Sequence, residues 1–396
     1  MAEHARDAVE ILVLNEIAQA GLARLSAARY TIVKESARPE AILLRSRDLH
    51  GYAFGDRLRA VGRAGAGVNN IPVAELTQRG VPVFNAPGGN ANAVKELVLA
   101  GMLIAARRLA PALDFVRSLD AAGTALDKRV EEGKKAFAGS ELKGRTLGVI
   151  GLGKVGCLVA DAAIHLGMEA IGFDPEITVD AAWSLPAQVR RAASIVEVLK
   201  ASDYVSLHVP LVDKTRGLIG EKNLAFMRPG AVLLNFSRDG VVDERTLLDA
   251  LRAQRLKNYV TDFPSAAFAG RAEVVALPHL GASTEEAEEN CAVMVVDQLR
   301  DFLENGNVRN AVNFPDAAME REVAYRLAIA HANVPDMLAR ISHTLGGRRI
   351  NIHNMLNKSK GDTAYTLLDV ESPVPEAALA ELRGIEGMRA IRYLGA

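Results

Sequence analysis

Short apolar runs alternate along this chain with longer stretches whose apolar residues recur every three to four positions. Ile11–Leu14, Ala41–Leu44 and Val81–Phe84 read as buried strands, each closed by polar or glycine-rich turns. From about Asn90 a helical pattern runs to about Leu119, with Asn90 or Asn92 as N-cap. A second series begins near Thr146, with strands expected at Leu147–Ile150, Ala170–Phe173, Tyr204–His208, Ala231–Asn235 and Tyr259–Thr261. Such alternation implies α/β architecture with two doubly wound, Rossmann-like parallel sheets. Glu285 to Asn305 reads as one more long helix, with acidic residues at its start where the helix dipole favours them.

The pattern then changes. Asn313-Phe314-Pro315-Asp316 and Glu320-Arg321-Glu322 look like a linker. Beyond it Tyr325, Leu327 and Ile329 alternate, and Leu338, Ile341 and Leu345 recur at helical spacing until Gly346-Gly347 stops the helix. Ile350–Ile352, Ala364–Val370, a helix near Glu376–Leu382 and a strand near Met388–Leu394 complete a ferredoxin-like βαββαβ module. The expected domains are 1–89 with 285–314, then 90–284, then 323–396.

Composition narrows the function classes. The 396 residues carry 47 Lys+Arg against 48 Asp+Glu, so no bulk positive field is available for nucleic acid or a membrane surface. Two cysteines, Cys157 and Cys291, are too few for a disulfide framework or a zinc site, and no metal is expected. Met1 to Glu10 shows no apolar signal core, and the longest apolar run, Leu97–Ala106, is half the length a bilayer requires. A cytoplasmic protein is expected.

The chemistry concentrates in three segments. Gly151-Leu152-Gly153-Lys154-Val155-Gly156 is G-x-G-x-x-G, directly after an apolar strand and before a helix. The first glycine permits the turn, the second admits a pyrophosphate, and the third packs helix on strand. Asp174, at the end of the next strand, suits the adenine ribose hydroxyls and repels a 2′-phosphate, which favours NAD over NADP. Arg238 follows a strand in Asn235-Phe236-Ser237-Arg238-Asp239-Gly240, and His279 lies in Leu277-Pro278-His279-Leu280-Gly281-Ala282-Ser283. Arginine clamps a carboxylate with a planar fork, and histidine exchanges protons near neutral pH. Oxidation of a 2-hydroxy acid needs both functions.

These segments resemble the D-isomer-specific 2-hydroxyacid dehydrogenase family. Supporting stretches are Arg45-Ser46-Arg47, Gly65-Ala66-Gly67-Val68-Asn69-Asn70, Phe84 to Leu97, His208-Val209-Pro210-Leu211 and Thr215 to Ile219. The resemblance spans essentially the whole chain, in the branch that oxidises 3-phospho-D-glycerate at the start of L-serine synthesis. It implies that 1–89 with 285–314 binds substrate and 90–284 binds NAD. Arg238 and His279 are then the catalytic pair, with the carboxylate also met by backbone amides at Ala66, Gly67 and Val68. Arg45, Arg47 and Lys135 match phosphate contacts. Cofactor contacts carry over to Gly151, Gly153, Lys154, Val155, Gly156, Asp174, His208, Val209, Pro210, Phe236, Ser237, Arg238, Asp262, His279, Leu280, Gly281 and Ala282.

The C-terminal module resembles an ACT domain, and its L-serine-binding positions match His331, Asn333 and Asn351. Such modules pair across subunits, which implies a homodimer or homotetramer. Two departures stand out. Asp262-Phe263-Pro264-Ser265-Ala266-Ala267-Phe268 has alanine where the family places a glutamate that orients the histidine, and Glu273 is the nearest carboxylate downstream. Asp239 also stands where glycine is usual. The first departure implies a less basic His279 and weakened dehydrogenase activity. The alternatives are a dehydrogenase of an unphosphorylated 2-hydroxy acid and an impaired regulator that binds NAD and serine.

Overall fold

The computed structural model describes residues 8–120 and 122–395. The opening segment considered above falls, up to Asp7, outside them. Two compact units form, one from the stretch up to Asn90 and everything from Glu285, the other from Ala91–Thr284.

The first unit is built on a parallel sheet in the order Tyr30–Val33, Val9–Leu14, Ala41–Leu44, Ala60–Arg63, Val83–Phe84. Ala41–Leu44 is buried at all four positions, as a central strand covered on both faces requires. The edge strand is shorter than the expected Val81–Phe84. Pro82 has no N–H to donate, and Val81 returns its own to Leu76 O. Helix Glu285–Asn305 sets Val295, Leu299 and Phe302 against Ile11, Leu43 and Phe84.

The stretch 313–316 is not a free linker. Phe314 is fully buried, while Asn313 accepts the Val83 N–H and donates to Thr77 Oγ1 and Val81 O. These bonds close the open edge of the sheet.

The C-terminal module is antiparallel, in the order Ile352–Lys360, Thr363–Val370, Tyr325–Ala332, Met388–Leu394. Helices Met337–Gly347 and Glu376–Arg383 cover one face through Leu327, Ile329, Leu345 and Leu368. The helix ends at Gly347, the second glycine of the expected stop. The reversal falls on Arg349 at φ +60, with Arg348 and Ile350 both donating to Leu345 O. The following strand therefore starts at Ile352 and not at Ile350.

The other face of the module's sheet presents Ala328, Ala330, Tyr365 and Leu367 to Phe302 and Phe314, so the module shares the core of the first unit. Arg326 is 0% exposed, pairs with Asp369, and donates to the carbonyls of Asn305, Met319 and Glu320. Arg392 lies 4.4 Å over the Phe302 ring and donates to Phe302 O and Leu303 O. The last carbonyls of Glu285–Asn305, which helix geometry leaves open, are thus capped by arginines of the module.

The second unit carries a seven-stranded parallel sheet. Its order is Val274–Ala276, Leu256–Thr261, Ala231–Asn235, Tyr204–Leu207, Thr146–Ile150, Glu169–Phe173, Arg190–Arg191. The order reverses between Thr146–Ile150 and Tyr204–Leu207, the switch point where open α/β sheets bind ligands.

The expected helix over 90–119 is two helices, Ala91–Arg107 and Leu109–Arg117, with Arg108 between them at φ +51. Pro111 breaks it, since it lacks an N–H for the Arg107 carbonyl and its ring crowds that oxygen. Asn90 precedes the first helix, and Asn92 bonds Glu96 and Lys95 within its first turn. The run Leu97–Ala106 lies in this helix, with Val98, Met102, Ala105 and Ala106 facing the core. Among the described residues no helix is long and apolar enough to cross a membrane.

Candidate active site

The glycine loop follows the buried strand Thr146–Ile150 at the switch point. Gly151 has φ +93, and a Cβ there would lie 2.4 Å from His208 O. A Cβ on Gly156 would lie 2.0 Å from Gly151 O, so helix Lys154–His165 can seat on the loop only without a side chain. Around Gly153 a Cβ would meet nothing within 4 Å. The loop is therefore closed at its first and third glycines and open at the second, beside the amides of Lys154 and Val155. That arrangement fits a diphosphate at a helix N-terminus.

Asp174 braces the loop from the neighbouring strand. Its Oδ2 accepts the Leu152 N–H at 2.8 Å and its Oδ1 accepts the Glu176 N–H at 2.9 Å. A carboxylate has about four acceptor sites, so capacity remains for ribose hydroxyls. His208 follows strand Tyr204–Leu207, with Nε2 2.8 Å from Ser206 Oγ. Burial pushes its pKa down to about 4, so the ring is neutral near pH 7. Val209 and Pro210 continue from it along the same strand end.

Arg238 stands after strand Ala231–Asn235, its guanidinium exposed except for one bond to Ser237 O at 2.6 Å. The turn beneath it is organised by Asn235, which is 1% exposed. Asn235 Oδ1 accepts from Ser237 N–H and Oγ, and its Nδ2 donates to Arg238 O. Phe236 and Ser237 are buried beside it. The positive φ of +77 falls on Gly240, so Asp239 occupies the usual glycine position without backbone strain.

His279 is exposed in the loop after Val274–Ala276, its ring 5.0 Å from that of Phe263. Thr261 links the two loops. Its Oγ1 donates to Asn235 O and accepts the Phe263 N–H. Asp262, 1% exposed, accepts the Gly281 N–H at 3.1 Å and so holds the turn of Leu280, Gly281 and Ala282. Glu273 pairs with Arg271 at 3.5 Å and is not directed to His279. Among the described residues no group of three metal-ligating side chains converges.

The candidate substrate residues divide between the units. Arg45 pairs with Glu288 at 2.6 Å, and its carbonyl accepts from Arg63 Nε and Asn70 Nδ2. Arg47 is exposed, its N–H bonded to Asn15 Oδ1 at 2.7 Å. Ala66, Gly67 and Val68 are half-buried, with Ala66 O accepting from Asn85 Nδ2. Lys135 is exposed on the turn Lys134–Phe137 and belongs to the second unit, while Arg45 and Arg47 belong to the first.

In the module, His331 is 2% exposed and both its ring nitrogens are engaged, with Ala332 O and Thr366 Oγ1 each at 2.8 Å. Desolvation lowers its pKa. Asn333 is exposed and donates to Gly361 O, and Asn351 is exposed with its carbonyl on the Glu371 N–H.

Asn235, Thr261 and Arg63 were not singled out from sequence. Arg63 ends strand Ala60–Arg63, the ligand-facing end of a parallel strand, and that position was the available signal. Asn235 and Thr261 act through contacts between loops, which no local pattern reveals.

A glycine cradle at the switch point, with an arginine and a histidine on strand ends of the same sheet either side of Leu256–Thr261, defines a dinucleotide-binding dehydrogenase unit. Residues 99–281 match the family model of the D-isomer specific 2-hydroxyacid dehydrogenase, NAD binding domain. A D-3-phosphoglycerate dehydrogenase of Escherichia coli (strain K12) is 30% identical over 421 residues, covering 98% of both chains. That of Methanocaldococcus jannaschii is 37% identical over 272 residues, 67% of this chain and 49% of its own. The match thus spans about half of that relative's length, as it does for the one from Archaeoglobus fulgidus, at 54%. Among solved structures, an NAD+-bound 3-phosphoglycerate dehydrogenase of Entamoeba histolytica is 26% identical with a TM-score of 0.61, covering 77% of this chain and 98% of its own. The chain belongs to the D-isomer-specific 2-hydroxyacid dehydrogenase family.

Proposed function

We propose that this protein catalyses the NAD-dependent oxidation of 3-phospho-D-glycerate to 3-phosphohydroxypyruvate, the first step of L-serine synthesis. The observation that carries the reading is that Arg238 and His279 stand on strand-end loops either side of strand Leu256–Thr261, joined through Asn235, Thr261 and Asp262. NAD, when bound at the glycine loop, supplies the acceptor for the C2 hydride. Lys154, Val155 and the open side of Gly153 hold its diphosphate, and Asp174 its ribose. Arg238 binds the substrate carboxylate through the face of its guanidinium that Ser237 O leaves free. His279 takes the 2-hydroxyl proton on a ring nitrogen as the carbonyl forms.

Arg45, Arg47 and Lys135 are the proposed phosphate ligands. Arg45 would exchange Glu288 for the phosphate, which offers it a doubly charged partner. An L-serine effector site and a homodimeric or homotetrameric assembly belong to the same proposal. Asn333 and Asn351 are the accessible donors for serine, and His331 orders the strand end beside them.

The deciding assay mixes purified protein with NADH and 3-phosphohydroxypyruvate and follows NADH absorbance. Consumption is expected. Its absence, with NADH binding intact by fluorescence titration, would reject the reading. The cofactor loop has its own test. Gly151→Ala forces a Cβ 2.4 Å from His208 O at φ +93, a strain of about 1–3 kcal/mol. NADH affinity should fall by roughly 5- to 150-fold, and an unchanged titration would count against this cradle.

A further inference from the structure

Two asparagines grip the loop that carries Arg45 and Arg47. That loop leaves strand Ala41–Leu44, whose neighbours in the sheet are Val9–Leu14 on one side and Ala60–Arg63 on the other. Leu14 pairs with Leu44 and Leu44 with Arg63, so the three strand ends lie side by side. Asn15 is the first residue past Leu14, and its Oδ1 accepts the N–H groups of Ser46 and Arg47 at 3.1 and 2.7 Å. Asn70, in the loop that follows Arg63, holds the opposite flank. Its Nδ2 donates to Arg47 O at 2.8 Å and to Arg45 O at 3.4 Å, and its own carbonyl accepts the Leu49 N–H at 2.9 Å.

Both asparagines stand where local preference alone would not put them. Asn15 has φ +71, in the left-handed region that few residues other than glycine and asparagine enter readily. Asn70 Oδ1 is buried without a hydrogen-bond partner, which costs stability. Turning that carboxamide over would set its oxygen against two carbonyls, so what Asn70 contributes is its donor. An acceptor from one side and a donor from the other thus fix the backbone of Arg45-Ser46-Arg47. The arginine side chains are left to reach outward, Arg45 to Glu288 and Arg47 to solvent.

Resting on the reading that puts the substrate phosphate on Arg45 and Arg47, we propose that Asn15 and Asn70 are positioning residues that set specificity for a phosphorylated substrate. They order the loop before substrate arrives, so both guanidiniums meet the phosphate already presented. Ordering a loop during binding consumes interaction energy. A substrate with a phosphate bears that cost when the asparagines are lost, and one without a phosphate does not.

The test uses the full chain, saturating NADH, and either 3-phosphohydroxypyruvate or hydroxypyruvate. Asn15→Gly keeps the left-handed backbone and removes the acceptor, while Asn70→Ala removes the donor. Each should raise the KM for the phosphorylated substrate about tenfold and leave kcat and the KM for hydroxypyruvate unchanged. Aspartate at the two positions should act oppositely. Asn15→Asp keeps an acceptor and should stay within about threefold of wild type, whereas Asn70→Asp loses the donor and should be at least as impaired as Asn70→Ala. Both changes add one negative charge to the same loop, so the contrast reports hydrogen-bond direction. Equal losses with both substrates overturn the proposal, as does an unchanged KM in folded Asn15→Gly. Two readouts need no turnover. Hydrogen exchange at Ser46 and Arg47 should quicken in Asn15→Gly but not in Asn15→Asp, and inorganic phosphate should bind the cofactor-free Asn15→Gly chain about tenfold more weakly. Unaltered exchange or an equal Kd overturns the proposal, whereas a wild type that consumes no NADH rejects the dehydrogenase reading instead.

Discussion

Replacing His279 with asparagine is expected to lower kcat by about 10²- to 10⁴-fold, the range for loss of a general base, while NADH affinity changes little. The chemical reason is direct: asparagine cannot take the hydroxyl proton. His279 is exposed on its loop and is not a core residue, so the folded state should survive the change. Two other histidines in defined surroundings do not substitute for it. His208 is held neutral by burial at a pKa of about 4 and bonded to Ser206, and His331 is lowered by desolvation with both nitrogens engaged. His208 should not titrate in the wild-type rate profile between about pH 6 and 8. Steady-state rates with 3-phosphohydroxypyruvate and NADH across that range check the point. A variant keeping more than a tenth of wild-type kcat would remove His279 from the reaction.

The second large effect concerns stability. Arg326→Met leaves the buried carboxylate of Asp369 without its partner and opens three carbonyls, at Asn305, Met319 and Glu320. Breaking a buried pair from one side costs about 3–5 kcal/mol, and urea unfolding should show a loss in that range. The double variant Arg326→Met with Asp369→Leu removes the unpaired charge but still leaves the carbonyls unmet. It should therefore recover only part of the loss and stay about 1–3 kcal/mol below wild type. A single-variant cost under about 1 kcal/mol would mean that water or a neighbouring donor satisfies Asp369. Because Arg326 also caps helix Glu285–Asn305, its loss should loosen the module and that helix together.

Much of the fold was legible in the sequence because its elements are local. Ala231–Asn235 and Glu285–Asn305 occupy the ranges expected from apolar runs and caps, and G-x-G-x-x-G falls at the switch point. The errors share a cause, which is that one residue's backbone chemistry outweighed the pattern around it. Pro111 split the helix after Arg107, Pro82 shortened an edge strand, and Arg349 in a left-handed conformation moved the module's second strand to Ile352.

By itself the sequence determined the α/β class, the dinucleotide loop, and the presence of an arginine and a histidine suited to a 2-hydroxy acid. Those properties depend on residue types at short spacing, and periodicity and turn chemistry report them. Only the tertiary structure decided what each group touches. It placed Asn313 on a sheet edge 230 residues away in the chain, buried Arg326 against Asp369, and saturated the ring of His331. It also left one buried oxygen of Asp262 without a hydrogen-bond partner. Such contacts join segments distant in sequence, and their cost or benefit arises from burial, which exists only once the chain has packed.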